Sequence, residues 1–295
     1  MEERIQDGGP LELGGFYASS ELLERFSNQV QSLIGAADRA AANGNPEGQF
    51  AALLALESVL LSDLLNEQEA SDFVSRPEMQ SAIKTSQRIF AAFESRLEDA
   101  FVADIARVKV PQRYLSDCDS VTRNYLARYR GLAAAEVALA RVGPADRVAF
   151  VGAGALPITA LEYIRTTGCH VDGIEILGER AAAAEAVIER LGFADRLTMI
   201  NADGSTIDFS TYSVILVGVL AEPKAAIFAR LAATAAPEAR VICRTTEGLR
   251  QLIYRPTAAA ALLPYQAQAI NRANGFQTLS TLRLVQIALK PGAAA

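Results

Sequence analysis

Glu94 is a carboxylate set into an apolar stripe. Phe90, Glu94, Leu97 and Phe101 recur at i, i+4, i+7 and i+11, the spacing of side chains that share one face of an α-helix. A carboxylate on such a face is costly unless it is paired or put to use. Burial raises its proton affinity towards neutrality, which suits it to take a proton from an ammonium group before the amine attacks carbon. An interhelix salt bridge is the plainer role for the same residue. Glu57 sits similarly among Leu53, Leu60, Leu61 and Leu64 and is the reserve candidate, with a core salt bridge as its plainer role. Tyr125 and Tyr129 lie one turn apart on one face. Either hydroxyl could orient an amine, and ordinary core packing accounts for the pair equally well.

A second constellation begins at 148–157, VAFVGAGALP, which reads as strand, turn and helix start. Gly152 and Gly154 let the backbone turn tightly and approach a ligand with no Cβ in the way. Pro157 suits the first turn of a helix, where a missing N–H costs nothing. A dinucleotide fingerprint would put a third glycine at 157. The proline removes the usual diphosphate contact and favours a cofactor without phosphates. Glu175 follows Gly152 by 23 residues, at the end of the second predicted strand, where it can accept hydrogen bonds from both ribose hydroxyls. Asp203, after the third strand, is placed to meet an adenine amino group. Gly152, Ala153, Gly154, Leu156, Pro157, Glu175 and Asp203 together point to S-adenosylmethionine (SAM). Taken singly they are a tight turn, a helix-capping glutamate and a turn aspartate. Tyrosine rings facing a sulfonium would contribute about 0.5–2 kcal/mol by cation–π attraction. Arg244 ends the fifth strand, and it or Arg250 could clamp a substrate carboxylate bidentately. A salt bridge to Glu247 or a neighbouring helix is the plainer reading.

The elements that must carry these residues fall into two groups. From Ser19 to about Leu139 apolar residues recur at helical spacing: Leu53, Leu54, Leu60, Leu61 and Leu64; Phe90, Phe93, Leu97 and Phe101; Val121, Tyr125, Tyr129 and Leu132. This predicts four or five helices, with a flexible arm at 1–15 and a helical domain at 16–142. Beyond Gly143-Pro144 short apolar strands alternate with helices. Strands are predicted at 147–151, 171–176, 197–201, 212–219 and 239–244, and helices at 156–166, 179–191 and 223–235. Residues 275–289 should add one or two antiparallel edge strands. Such alternation predicts an α/β fold, a Rossmann-type, SAM-dependent methyltransferase-like parallel sheet at 143–295, behind an N-terminal helical domain.

Composition narrows the function classes. The chain has 295 residues, half of them hydrophobic, and a net charge of −6, which gives no general attraction for nucleic acid or anionic membrane. No apolar run reaches the roughly 20 residues of a membrane-spanning helix. Three scattered cysteines and no secretory signal predict a cytoplasmic protein. The single His170 is expected to be structural. With no thiolate cluster, no metal site is expected, and no GxSxG elbow supports a serine nucleophile. The expected partner is a small-molecule substrate, and a homodimer is compatible with the sequence.

Residues 90–256 resemble the nicotianamine synthase family and its bacterial opine-metallophore relatives. VGAGALPIT at 151–159 is similar to the family's VGSGPLPLTS, and YSVILVGVL at 212–220 to its YDVVFLAALVG. RTTEGLRQLIYRP at 244–256 is similar to RSAHGARAFLYP, the most specific match, because generic methyltransferases lack it. FESRLE at 93–98 resembles AEGLLE, and NYLARY at 124–129 resembles PYYSNY less closely. The resemblance implies attack of an amine at the γ-carbon of SAM's aminocarboxypropyl tail, with methylthioadenosine leaving. It adds Val219 and Arg244 to the expected cofactor contacts and Glu94, Tyr125 and Tyr129 as the catalytic set. In metallophore synthases the amine belongs to a second amino acid; azetidine-2-carboxylic acid synthases use SAM's own amine and close a four-membered ring. Here Glu247 replaces the family's histidine, and two tyrosines remain of the aromatic run. Few polar residues are left to hold a second amino acid, which favours the self-cyclising variant. A small-molecule methyltransferase and a non-catalytic SAM-binding protein are the competing expectations.

Overall fold

The computed structural model describes residues 20–62, 64–114, 120–275 and 277–287. The expected arm at 1–15 and the side chain of Val121 lie outside the described residues.

Six α-helices precede the first strand among the described residues: α1 (Ser20–Ala42), α2 (Pro46–Leu60), α3 (Glu67–Ser75), α4 (Gln80–Arg107), the short α5 (Pro111–Tyr114) and α6 (Ser120–Ala140). Local chemistry starts them. Pro46 takes the first position of α2 while Asn45 accepts the Gly48 N–H. Asn66 and Glu69 close a capping box on α3. α2 buries Gln49, Leu53, Leu56 and Leu60, so Leu54 and Leu64 of the expected stripe face solvent and Leu56, which it omitted, lies inside. α4, at 28 residues, runs about 42 Å.

The sheet has seven strands in the order β3-β2-β1-β4-β5-β7-β6. Strands β1 (Arg147–Val151), β2 (His170–Glu175), β3 (Leu197–Asn201), β4 (Val214–Val217) and β5 (Arg240–Thr245) are parallel. Their crossovers include α7 (Ile158–Thr167), α8 (Gly178–Leu191) and α9 (Lys224–Thr234). β7 (Ser280–Gln286) inserts antiparallel between β5 and β6 (Tyr265–Asn271). The expected edge segment therefore supplies one strand. β6, which alternation did not reveal because most of its residues are exposed or half-buried at the sheet edge, supplies the other.

Three apolar clusters hold the layers together. One joins Val148, Phe150 and Leu216 of the sheet to Phe101 and Ile105 of α4 and Leu126 and Ala133 of α6. A second joins α1–α4 to Leu249, Leu252, Ile253 and Tyr254, beyond β5. The third packs α9 on the other face of the sheet. α4 enters both of the first two, with Phe90 in one and Phe101 in the other, and Glu94 lies at the crossing. The sheet order reverses between β1 and β4. Open α/β sheets bind ligands outside the strand ends at such a switch point.

Candidate active site

A cavity of about 390 Å³ opens there, over the C-terminal ends of β1, β2, β4 and β5 and beneath α4 and α6. Its floor is the turn after β1. Gly152 and Gly154 have φ of +80° and +75°, left-handed conformations that a side chain resists. A Cβ on Gly154 would stand 3.0 Å from Glu98 Oε2. Glu175 props the turn: Oε2 accepts the Gly154 N–H and Oε1 the Leu177 N–H, both at 3.0 Å. Each of its oxygens keeps a lone pair for a ligand. Asp203 lines the cavity and accepts the Ser205 N–H at 2.8 Å, which lowers its proton affinity. Val219 and Arg244 line it too, whereas Pro157 is buried behind the turn as the residue before α7. Every other cofactor-binding residue expected from sequence thus meets at one opening.

The roof carries the acid–base groups. Ala91, Glu94, Ser95 and Glu98 of α4 and Tyr125 and Tyr129 of α6 face the cavity. Burial pushes the Glu94 carboxyl up to about 7, against the Tyr254 hydroxyl, which donates to its Oε1 and favours the charged form. Glu98, one turn on, is also pushed to about 7 by burial, opposed by the Arg180 guanidinium. The tyrosine rings lie 4.8 Å apart at 52°, and burial raises both phenols, so they stay protonated and can donate.

Glu98, Arg180 and Tyr254 were not singled out from the sequence as site residues. Glu98 was legible: it follows Glu94 by four residues in the same motif. Arg180 and Tyr254 reach Glu98 and Glu94 across 82 and 160 residues of chain, a proximity that periodicity cannot show.

Two expectations are corrected. The Arg244 fork is already taken: Nε and Nη2 bind the two oxygens of fully buried Glu136 at 2.8 and 2.9 Å, and Nη2 also reaches Thr159. Glu136 further accepts from Tyr163 and Thr281. Arg244 therefore cannot clamp a carboxylate bidentately; among the described residues only Nη1 is left for the cavity. Its partner lies on α6, the neighbouring-helix reading, and not at Glu247, which pairs with Arg272 at 2.8 Å. Arg250 is no clamp either, since its guanidinium holds the carbonyls of Gln277 and Gly275 away from the cavity wall. Glu57 forms the core salt bridge expected of it, to Arg128 at 2.6 Å, and His170 is exposed at the opposite end of β2 from the site.

A glycine turn at the switch point, acidic groups at the next two strand ends and a seven-strand sheet with an antiparallel β7 define a SAM-dependent methyltransferase-like, Rossmann-type protein. The chain belongs to the nicotianamine synthase family: the family model, described as nicotianamine synthase protein, matches residues 54–275. It is similar to crystal structures of MtNAS. The one in complex with MTA and tNA shares 22% identity at a TM-score of 0.81, and a glutamate-to-glutamine mutant in complex with S-adenosylmethionine shares 21% at 0.78. Both matches cover 92% of this chain and 100% of MtNAS. No curated protein matches. No described helix is long and apolar enough to cross a membrane.

Proposed function

We propose that this protein consumes SAM as an aminocarboxypropyl donor. An amine attacks the γ-carbon of the tail, the new N–C bond forms as the C–S bond breaks, and the electron pair goes to sulfur, releasing neutral methylthioadenosine. The amine proton passes to Glu94. Gly152–Gly154, Glu175 and Asp203 hold the adenosyl group, and Tyr125 and Tyr129 present ring faces to the sulfonium. A relative crystallised with SAM after losing one glutamate carboxylate supports putting a glutamate to work on the substrate more than in holding it.

The preferred reaction is intramolecular. SAM's own α-amine is the nucleophile and azetidine-2-carboxylic acid the product. One observation carries this choice. Arg180 and Arg244 are the only cationic side chains among the described residues of the cavity wall, and each already has a carboxylate partner. Arg180 is held at both Nη atoms by Ser95 and Glu98, and Arg244 keeps only Nη1 for the cavity, enough for SAM's single carboxylate and not for that of a second amino acid as well. Intramolecular attack also gains from placement, since well-oriented groups reach effective molarities of about 10⁵–10⁸ M. Family membership supports the alternative, transfer to the amine of a second amino acid. The two described cysteines, Cys169 and Cys243, are free and buried, which supports a cytoplasmic setting.

Incubation with SAM alone, followed by mass spectrometry, separates these reactions. Methylthioadenosine with azetidine-2-carboxylic acid is expected. Methylthioadenosine formed only when an amino acid is added would establish intermolecular transfer. S-adenosylhomocysteine with a methylated acceptor would overturn the proposal.

A further inference from the structure

Glu94 and Glu98 are the same residue type, one turn apart on α4, and both face the cavity. Two carboxylates this close titrate as a pair, and the surroundings decide which one holds the proton. Glu98 faces Arg180 of α8, Asp99 beside it on α4, the Tyr125 and Tyr129 phenols of α6, and the Ala155 N–H of the turn. Glu94 faces the Tyr254 hydroxyl beyond β5, the same two phenols, and the Glu57–Arg128 ion pair, whose opposite charges oppose each other. Burial lifts both carboxyls alike, to about 7, so what sets them apart is the contact each makes: a guanidinium touches Glu98, and a neutral hydroxyl touches Glu94. Hydrogen bonds from an ionised donor are roughly twice as strong as neutral ones.

Arg180 is itself tied down. It stands in the first turn of α8, its Nη1 donates to Ser95 Oγ at 2.7 Å and lies 3.9 Å from Asp99, and its Nη2 meets Glu98. The same Nη2 is 3.4 Å from where a Cβ on Gly154 would stand, so the cation is wedged between α4 and the glycine turn.

We propose that Arg180 is a positioning residue that splits the glutamate pair, pinning Glu98 as the standing anion and leaving Glu94 to exchange the proton. Glu98 then supplies fixed negative charge beside a cationic substrate, and Glu94 keeps the proton affinity that a base working near neutral pH needs. This division of roles rests on the proposed reaction, but the titration order does not require turnover.

The test is a ¹³C-carboxyl NMR titration of the unliganded protein, with signals assigned through E94Q and E98Q. Glu98 should titrate below Glu94 in the wild type. R180Q should raise Glu98 by a unit or more, at least tenfold in proton affinity, and R180K should restore the order. Glu98 titrating above Glu94 in the wild type would overturn the proposal, and that readout stands even where R180Q does not fold. So would an R180Q titration that superimposes on the wild type. In turnover, R180Q should move the acidic limb of kcat/KM to higher pH, with R180K moving it back. A loss equal at every pH would mean Arg180 only braces α4 against α8, and would overturn the assignment. If the wild type shows no turnover of SAM, the proposed reaction falls while the titration result stands.

Discussion

Tyr254 Oη donates a hydrogen bond to Glu94 Oε1 across 160 residues of chain, joining the segment after β5 to the middle of α4. Tyr254 packs in the same apolar cluster as Phe90, so the phenol is held where Glu94 emerges into the cavity. The specific stretch at 244–256 and the lone carboxylate of α4 are thereby parts of one site.

Removing that donor should raise the proton affinity of Glu94, because the bond favours the charged carboxylate. For Y254F the acidic limb of the rate profile should move to higher pH than in the wild type. The loss should be larger at pH 6 than at pH 8, followed as methylthioadenosine release across pH. A profile of unchanged shape would refute the link.

E94Q should keep SAM binding, measured by calorimetry, and lose turnover by at least roughly tenfold, the lower end of what a general base contributes. Stability should respond with the opposite sign. Glu94 has a folded-state pKa raised from 4.5 to about 7, so the folded state binds more protons than the unfolded one between these values. Stability is then lost as pH rises through that window. E94Q should unfold at a higher temperature than the wild type at pH 8 and at a similar one at pH 5. Equal differences at both pH values would contradict a buried, titrating Glu94.

The Glu136–Arg244 pair should matter to the fold more than to binding. Replacing Glu136 by leucine strands a guanidinium that is only 4% exposed. Breaking a buried pair from one side costs about 3–5 kcal/mol. Denaturant unfolding of E136L should show a loss of that size, and a midpoint equal to wild type would refute it.

Gly154 and Gly192 separate backbone strain from site geometry. Both have left-handed φ, +75° and +79°. Alanine at either should cost about 1–2 kcal/mol of conformational energy. A Cβ at 192 meets nothing within 4 Å, whereas one at 154 meets the Glu98 carboxylate. G154A should lose SAM affinity at least tenfold by calorimetry, and G192A should lose stability alone. Equal SAM affinities in the two variants would remove the glycine turn from the binding site.

Much of this was legible in the chain, for a reason that can be located. Strand alternation, the glycines at 152 and 154, and carboxylates at 175 and 203 are short-range patterns, and a parallel sheet with right-handed crossovers brings successive strand ends to one edge. Glu94 was visible because its apolar neighbours on α4 are its own helical neighbours. The tertiary structure alone decided what those residues face. Arg244 ends its strand where a clamp would stand, yet its fork is taken by Glu136, 108 residues away. Tyr254 and Arg180 reach the two glutamates only because α4 packs against both α8 and the segment that follows β5. Burial and charge pairing depend on which elements pack together, and periodicity along a single element holds no record of that.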